Sequence, residues 1–496
     1  MRGRLPFLAL GLVAAGWLTS GCGRGERRDP ERALRVGFYS GPLSRDPHLV
    51  REYVTFGVLA SVYEGLVDLD RSLAPQPRLA ESWKSPDKQT WVFRIRRGVR
   101  FHDGRPLTAR DVVYSLERAR RLPGSAYTGY LAPIETIRSL DSYTVEIRTR
   151  EPAGVLLQKL AVILIVPDGS SDEIDEPIGT GPFRIAETPG GFVLTAHPAY
   201  WGPRPPEREI ALVVVPDAAE ARRRIVAGTL DILWRVAPSE ALLVAGAPGC
   251  RVVGLPSFAV EVLQMRVSTP PFSDPRVRRA IHLAVNRDLL VRTIGHGRGS
   301  PANQLVGRGV LGFDPRQPLA RHDLDAARRL LTQAGLRVGV EVDLEFREGR
   351  NAAPIQTQLA AAGIRARLKP RPWREMVARL VAGEVSFYYG AYAADTGDAG
   401  DILRSLLGNQ SGGDGDRLGY SSPELDRLLA QADRAESVRA RQAALQQAME
   451  VAMRDLPLVP LIIPEDLYGI RSNVDWAPRL DGRFDPRELR RFPTAP

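Results

Sequence analysis

APQPRLAESWKSPDKQTWVFRIRRGVRFHDGRPLTARDVVYSLERAR, residues 74–120, decides the fold, because a strand, two turns and a helix follow one another in it. Trp91, Phe93 and Ile95 alternate with polar neighbours, the period-2 signature of a half-buried strand. Ser85-Pro86-Asp87-Lys88 is the turn before that strand. His102-Asp103-Gly104 reads as a hydrogen-bonding turn, with the glycine supplying a positive φ. Thr108 then stands at an N-cap position. Asp111, three residues on, is close to a capping box and favourable to the helix dipole. Val112, Leu116 and Ala119 fall on one apolar face of the helix that follows. Each residue of 101–120 thus has a structural task, and His102-Asp103 is expected to be a turn and not catalytic or metal chemistry.

Outward from this segment, YTVEIRT (143–149) repeats the strand alternation at Val145 and Ile147, and LRVGFYS (34–40) reads as a first strand. EIALVVVP (209–216) is a β-branched run suited to a strand buried on both faces. The helix in 217–228 starts at an Asp217 cap and stops at Gly228, and the one in 323–335 runs from Asp323 to Gly335. VGVEVDLEF (338–346) alternates again. Further helices fit 353–363, 372–383, 422–433 and 438–455. Such alternation argues for α/β lobes with mostly parallel sheets. No repeat period emerges.

The 496 residues imply two or three domains. Hydrophobic content of 44% and charged content of 25% fit a globular chain. Arg2 and Arg4, the apolar run 5–18 and the small residues 19–21 describe an export signal ending before Cys22. The cysteine directly after small residues marks a lipoprotein, with Cys22 acylated as the mature N-terminus; Thr19 stands where a larger aliphatic is usual. Cys250 then has no partner and is expected to be a spectator thiol. Residues 23–33 are a polar tether. Without the leader the net charge of +10 falls to about +8. The basic excess is almost all arginine, the lysines being Lys84, Lys88, Lys159 and Lys369. It is scattered among acids and does not form the clustered patch that nucleic-acid binding requires.

The 74–120 segment also closely resembles the signature segment of the family 5 extracellular solute-binding proteins, the oligopeptide- and dipeptide-binding lipoproteins of ABC importers. PIGTGPFRI (177–185), HPAYWGPRPPEREI (197–210), PPFSDPRVRRAIHLAVNRDLLV (270–291) and DLPLVPLI (455–462) continue the resemblance in order. It implies an α/β, two-lobed periplasmic-binding-protein-like fold, hinged on strands, with a strand-rich extra subdomain in the first lobe. The resulting division is leader 1–21, tether 22–33, lobe 1 from 34–50, 171–267 and 462–496, extra subdomain 51–170, and lobe 2 from 268–461. The implied role is capture of short peptides between the lobes of a monomer. The lipid would hold it outside the cytoplasmic membrane, and an ABC permease would receive the solute, with no catalysis and no cofactor.

Peptide-binding members resemble Trp-x-Ala-Asp in the second lobe, where the aspartate holds the peptide's α-ammonium. Here YYGAYAADTGDAGDIL (388–403) puts Tyr392 at the tryptophan, then Ala393, with Asp395 as the matching carboxylate. A closed cleft strips water from an ammonium, so a buried carboxylate must balance it. Ala399 replaces a common proline. Asp398 and Asp401 make the loop more acidic, and a solvated acidic loop is the expectation over 395–416. Arg266, in LQMRVSTPPF (263–272), occupies a place often held by asparagine and is expected at the lobe junction, as a salt-bridged hinge residue or an anion contact. Tyr39 and Tyr63 are first-lobe candidates for lining the cleft.

Other chemistries fare less well. Ser85-x-x-Lys88 matches a serine-hydrolase pattern by count, but its companion motifs are missing, as are G-x-S-x-G, H-E-x-x-H and Walker A. An exported serine hydrolase is the different-class alternative. The histidines show no ligand-spaced pair, and 395–416 lacks EF-hand spacing. A nickel chelate, an oligosaccharide or an opine remains an alternative solute, although the seven tryptophans are not clustered in sequence.

Overall fold

Leu34–Phe38 has four of its five residues buried, as its apolar composition requires, because it lies inside a sheet. It pairs in parallel with Glu209–Val214 on one side and Ile232–Leu233 on the other. The seven-stranded sheet of the first lobe runs Cys250–Pro256, Glu465–Arg471, Ile232–Leu233, Leu34–Phe38, Glu209–Val214, Gly191–Ala196, Phe183–Thr188. The computed structural model describes residues 33–50, 53–71, 73–336, 339–394, 396–408, 418–435 and 437–492. The leader, Cys22, the tether to residue 32 and Asp395 lie outside the described residues.

The 74–120 segment folds as its pattern directs. Thr90–Ile95 is an inner strand of a four-stranded antiparallel sheet ordered Ala80–Lys84, Thr90–Ile95, Thr144–Thr149, Ile134–Asp141. Helix Ala109–Arg121 covers this sheet with Val112, Leu116 and Ala119, all fully buried. Asp111 accepts from the Thr108 backbone N–H at 2.8 Å, closing the first turn. Gly104 takes φ +91° in the turn before it.

The second lobe holds a six-stranded sheet ordered Ser300–Pro301, Leu458–Ile463, Ala259–Met265, Phe387–Ala393, Val340–Arg347, Ile364–Arg371. All six residues of Leu458–Ile463 are buried, which its unbroken apolar run requires. Neither lobe sheet is mostly parallel, contrary to expectation. Parallel pairs form around Leu34–Phe38 and Val340–Arg347, while hairpins and returning strands add antiparallel neighbours.

The chain passes between the two lobe sheets twice, at 257–258 and at 464. The Ser257 N–H donates to the Pro464 carbonyl at 2.9 Å, tying the two crossovers together. These points replace the division expected at 267/268 and 461/462. The strand pattern passes from Cys250–Pro256 into Ala259–Met265 with only two intervening residues, so the sequence does not announce the change of sheet. The extra subdomain also begins later than residue 51. Val54, Val58, Val62 and Tyr63 pack in the first-lobe core, and the subdomain core starts at Leu66.

Candidate functional site

The C-terminal ends of the parallel strands Leu34–Phe38 and Ile232–Leu233 lie beside the crossovers, the end at which open α/β sheets place ligands. Tyr39 follows the first of these. It is half-buried, its hydroxyl accepts from the Ala237 N–H at 3.0 Å, and burial raises its pKa. Arg235 follows the second and pairs with Asp466 at 3.0 Å. Burial raises the Asp466 pKa against the opposing pull of Arg235 and Ser257. Sequence reading missed Arg235 and Asp466, because 231 residues separate them.

From the second lobe, Phe387–Ala393 runs antiparallel to Ala259–Met265 with Ala393 opposite Ala259. It therefore delivers Ala394 and residues 396–398 to the crossover end. The Tyr392 hydroxyl donates to Gln264 Oε1 on the neighbouring strand, and Ala393 is half-buried. Ala394 and Thr396, on either side of Asp395, are buried. The Gly397 N–H donates to the Ala394 carbonyl at 2.8 Å, and Leu311 bonds both Gly397 O and Ala399 N at 2.8 Å. Asp398 caps helix Ala399–Leu407 by accepting from Gly400 N–H at 2.7 Å. Arg441 holds the same carboxylate through two bonds of 2.7 and 2.9 Å, with both side chains buried. In its described part the loop is thus a buttressed turn and not a solvated acidic loop.

The first lobe reaches across to this turn. Leu73, at the tip between Val67–Leu69 and Pro75–Pro77, packs on the second-lobe core with φ +65°. A Cβ built on Gly397, at φ +72°, would lie 2.3 Å from Leu73 Cδ1, so only glycine admits this contact. Further out, Tyr130 donates to Asp401 at 2.7 Å and Glu151 pairs with Arg434 at 3.1 Å. These contacts join the extra subdomain to the second lobe.

Two candidates fall elsewhere. Tyr63 is fully buried in the first-lobe core, with its hydroxyl on the Arg45 carbonyl at 3.3 Å, so it is a core aromatic. Arg266 follows the end of Ala259–Met265 remote from the crossover, about 20 Å along the strand. It donates to the Gly383 carbonyl, and no carboxylate among the described residues pairs with it, so it is neither at the junction nor salt-bridged.

The histidine reading changes in one respect. His102 does have a partner, His197, with ring centroids 5.0 Å apart. His102 Nε2 lies 3.0 Å from the Gly181 carbonyl, and Nδ1 accepts from Gly179 N–H at 3.3 Å. Both ring nitrogens are thereby engaged, and burial lowers the pKa to about 4. The turn pins the subdomain to 179–181. Among the described residues no group of three or more His, Cys, Asp or Glu is placed to hold a metal ion. Trp234 and Trp476 do meet, with centroids 5.7 Å apart, but both are buried in the first-lobe core and offer no sugar platform. Cys250 is half-buried at the start of its strand.

The family described as Bacterial extracellular solute-binding proteins, family 5 Middle, matches residues 74–414. The chain belongs to this family. It is 28% identical over 505 aligned positions to the Di/tripeptide-binding protein 2 of Pseudomonas aeruginosa, covering 93% of this chain and 94% of that one. It is 24% identical to Heme-binding protein A of Haemophilus influenzae over 85% of each chain. In fold it is similar to a periplasmic binding protein of Helicobacter pylori solved in complex with peptide STSA. The TM-score is 0.84, the identity 23%, and the match covers 93% of this chain and 98% of that one. As a family 5 member the chain is a solute-binding protein of ABC importers. No helix among the described residues is long and apolar enough to cross a membrane.

Proposed function

We propose that this solute-binding protein captures short peptides between its lobes and delivers them to an ABC permease. Cys22 would carry the lipid that holds it outside the cytoplasmic membrane. Asp395 receives the peptide's α-ammonium, with Tyr392 and Ala393 before it in the same segment, and Tyr39 lines the cleft from the first lobe. The observation that carries the reading is the strand Phe387–Ala393, which ends at the lobe crossover two positions before Asp395. The similarity to a di/tripeptide-binding protein over nearly the whole chain supports the same substrate class.

The mechanism follows from the hinge. A solute held on one lobe favours closure to the extent that the closed state adds contacts. Main-chain pairing with an extended peptide supplies affinity independent of sequence, and hydrated side-chain pockets tolerate variety. The protein performs no chemistry in this scheme, since the permease's ATPase supplies the energy.

Thermal shifts test the substrate class. Pooled di- to pentapeptides are expected to raise the melting temperature, because a ligand of the native state stabilises it by mass action. Stabilisation by nickel–histidine, oligosaccharides or opines, with no effect of any peptide pool, would overturn the peptide assignment and leave the transport role standing.

A further inference from the structure

A cavity of about 390 Å³ lies between the extra subdomain and the second lobe. Its walls include Tyr130, Glu151 and Lys159 on one side and Thr396, Asp401 and Asp433 on the other. Its volume is within the ordinary range for small-molecule sites. The charges around it are not equally matched. Asp398 is held by Arg441, Asp433 by Arg404 and Arg441, and Glu151 by Arg434. Asp401 accepts from the Tyr130 hydroxyl at 2.7 Å.

Two cations of the wall lack a carboxylate partner among the described residues: Arg150, which donates to the Ala132 carbonyl at 2.6 Å, and the more deeply placed Lys159. The Lys159 ammonium lies 5.6 Å from the centre of the Tyr130 ring, and no carboxylate among the described residues is within ion-pairing distance. Burial lowers its pKa, Asp401 and Asp433 act to raise it from further away, and Arg404 and Arg441 act to lower it. A half-buried ammonium with only an aromatic face and distant acids is under-compensated. Arginine supplies nearly all other positive charge in this chain, and Lys159 is one of only four lysines.

We propose that this cavity is a binding site for a carboxylate group of a small solute, with Lys159 as its counter-charge. Both lobes build the walls, so closure completes the site, and Tyr130–Asp401 and Glu151–Arg434 fasten its rim. The carboxylate belongs to a free dicarboxylate or to the C-terminus of a peptide. The proposal does not require that Asp395 hold an ammonium.

The test uses the full chain purified in detergent, with lysine acetylation by acetic anhydride followed residue by residue by mass spectrometry. The probes are glutarate, its neutral diamide, and one tripeptide as free acid and as C-terminal amide. A probe that occupies the cavity is expected to slow acetylation of Lys159 roughly tenfold at about ten times its dissociation constant, leaving Lys84, Lys88 and Lys369 unchanged. Protection by glutarate but not the diamide assigns a free-dicarboxylate site. Protection by the peptide acid but not its amide assigns the peptide C-terminus. Equal Lys159 rates with every probe would overturn the proposal. In that case peptide-induced thermal stabilisation, if present, still upholds the proposed function. Thermal shifts of Lys159→Met and Lys159→Arg give a second reading. The carboxylate-dependent rise is expected to vanish in the first and persist in the second, and an undiminished rise in Lys159→Met would contradict the assignment.

Discussion

Arg441 reaches from helix Val438–Asp455 to both oxygens of Asp398, and removing it would leave a buried carboxylate without a counter-charge. Arg441→Ala is expected to destabilise the second lobe by about 3–5 kcal/mol. Urea denaturation followed by circular dichroism checks this, and an unchanged midpoint would refute it. At Gly397, two constraints coincide, a positive φ and the Leu73 methyl. Gly397→Val is therefore expected to separate the lobes, seen as a larger radius of gyration by X-ray scattering. Part of this was legible in the sequence. The His102 turn is identifiable by its own chemistry. Arg441 was not, since it lies 43 residues from its partner and on an unremarkable helix. Leu73 escaped for a similar reason, because an apolar residue in a hairpin tip carries no mark of a contact across the molecule.

Capping decides how well elements can be read. Asp217 accepts from Glu220 N–H at 2.7 Å and Asp323 from Ala326 N–H at 2.8 Å, so both helices start where an aspartate precedes an apolar period. In the subdomain helix the carboxylate sits inside the first turn instead: Asp111 accepts from the Thr108 N–H at 2.8 Å and from the Asp168 N–H at 2.9 Å. Asp111→Ala is expected to cost about 1–2 kcal/mol, measured as a lower denaturation midpoint. Thr108→Ala, which keeps the Asp111 carboxylate, should cost less. Equal losses would show that the carboxylate is not the principal cap. Strand direction was harder to read than strand presence. Ile232–Leu233 is a two-residue strand whose partners lie in distant segments, and nothing local records whether a neighbour runs parallel or antiparallel.

At the scale of the whole molecule, buried histidines set the response to acid. Burial lowers the pKa of His48 and His102 to about 4 and that of His282 to about 3, against the usual 6.5. Between these limits the unfolded chain binds protons that the folded chain refuses. Stability is therefore complete above about pH 6.5 and declines as the pH falls toward 4, by at most about 3 kcal/mol for His48. A denaturation midpoint that is the same at pH 5 and pH 7 would contradict this. The two-lobe plan itself was legible from several ordered segments, whereas the crossovers at 257–258 and 464 were not, because the strand pattern continues through them. The central claim is that Asp395 holds a peptide's α-ammonium. Calorimetric titration with one dipeptide, free and N-acetylated, tests it most directly, in the wild type and in Asp395→Asn. Binding of the free dipeptide alone, weakened by about two to three decades in Asp395→Asn, is the expected result. Equal binding of both forms, or full affinity in the variant, would contradict it.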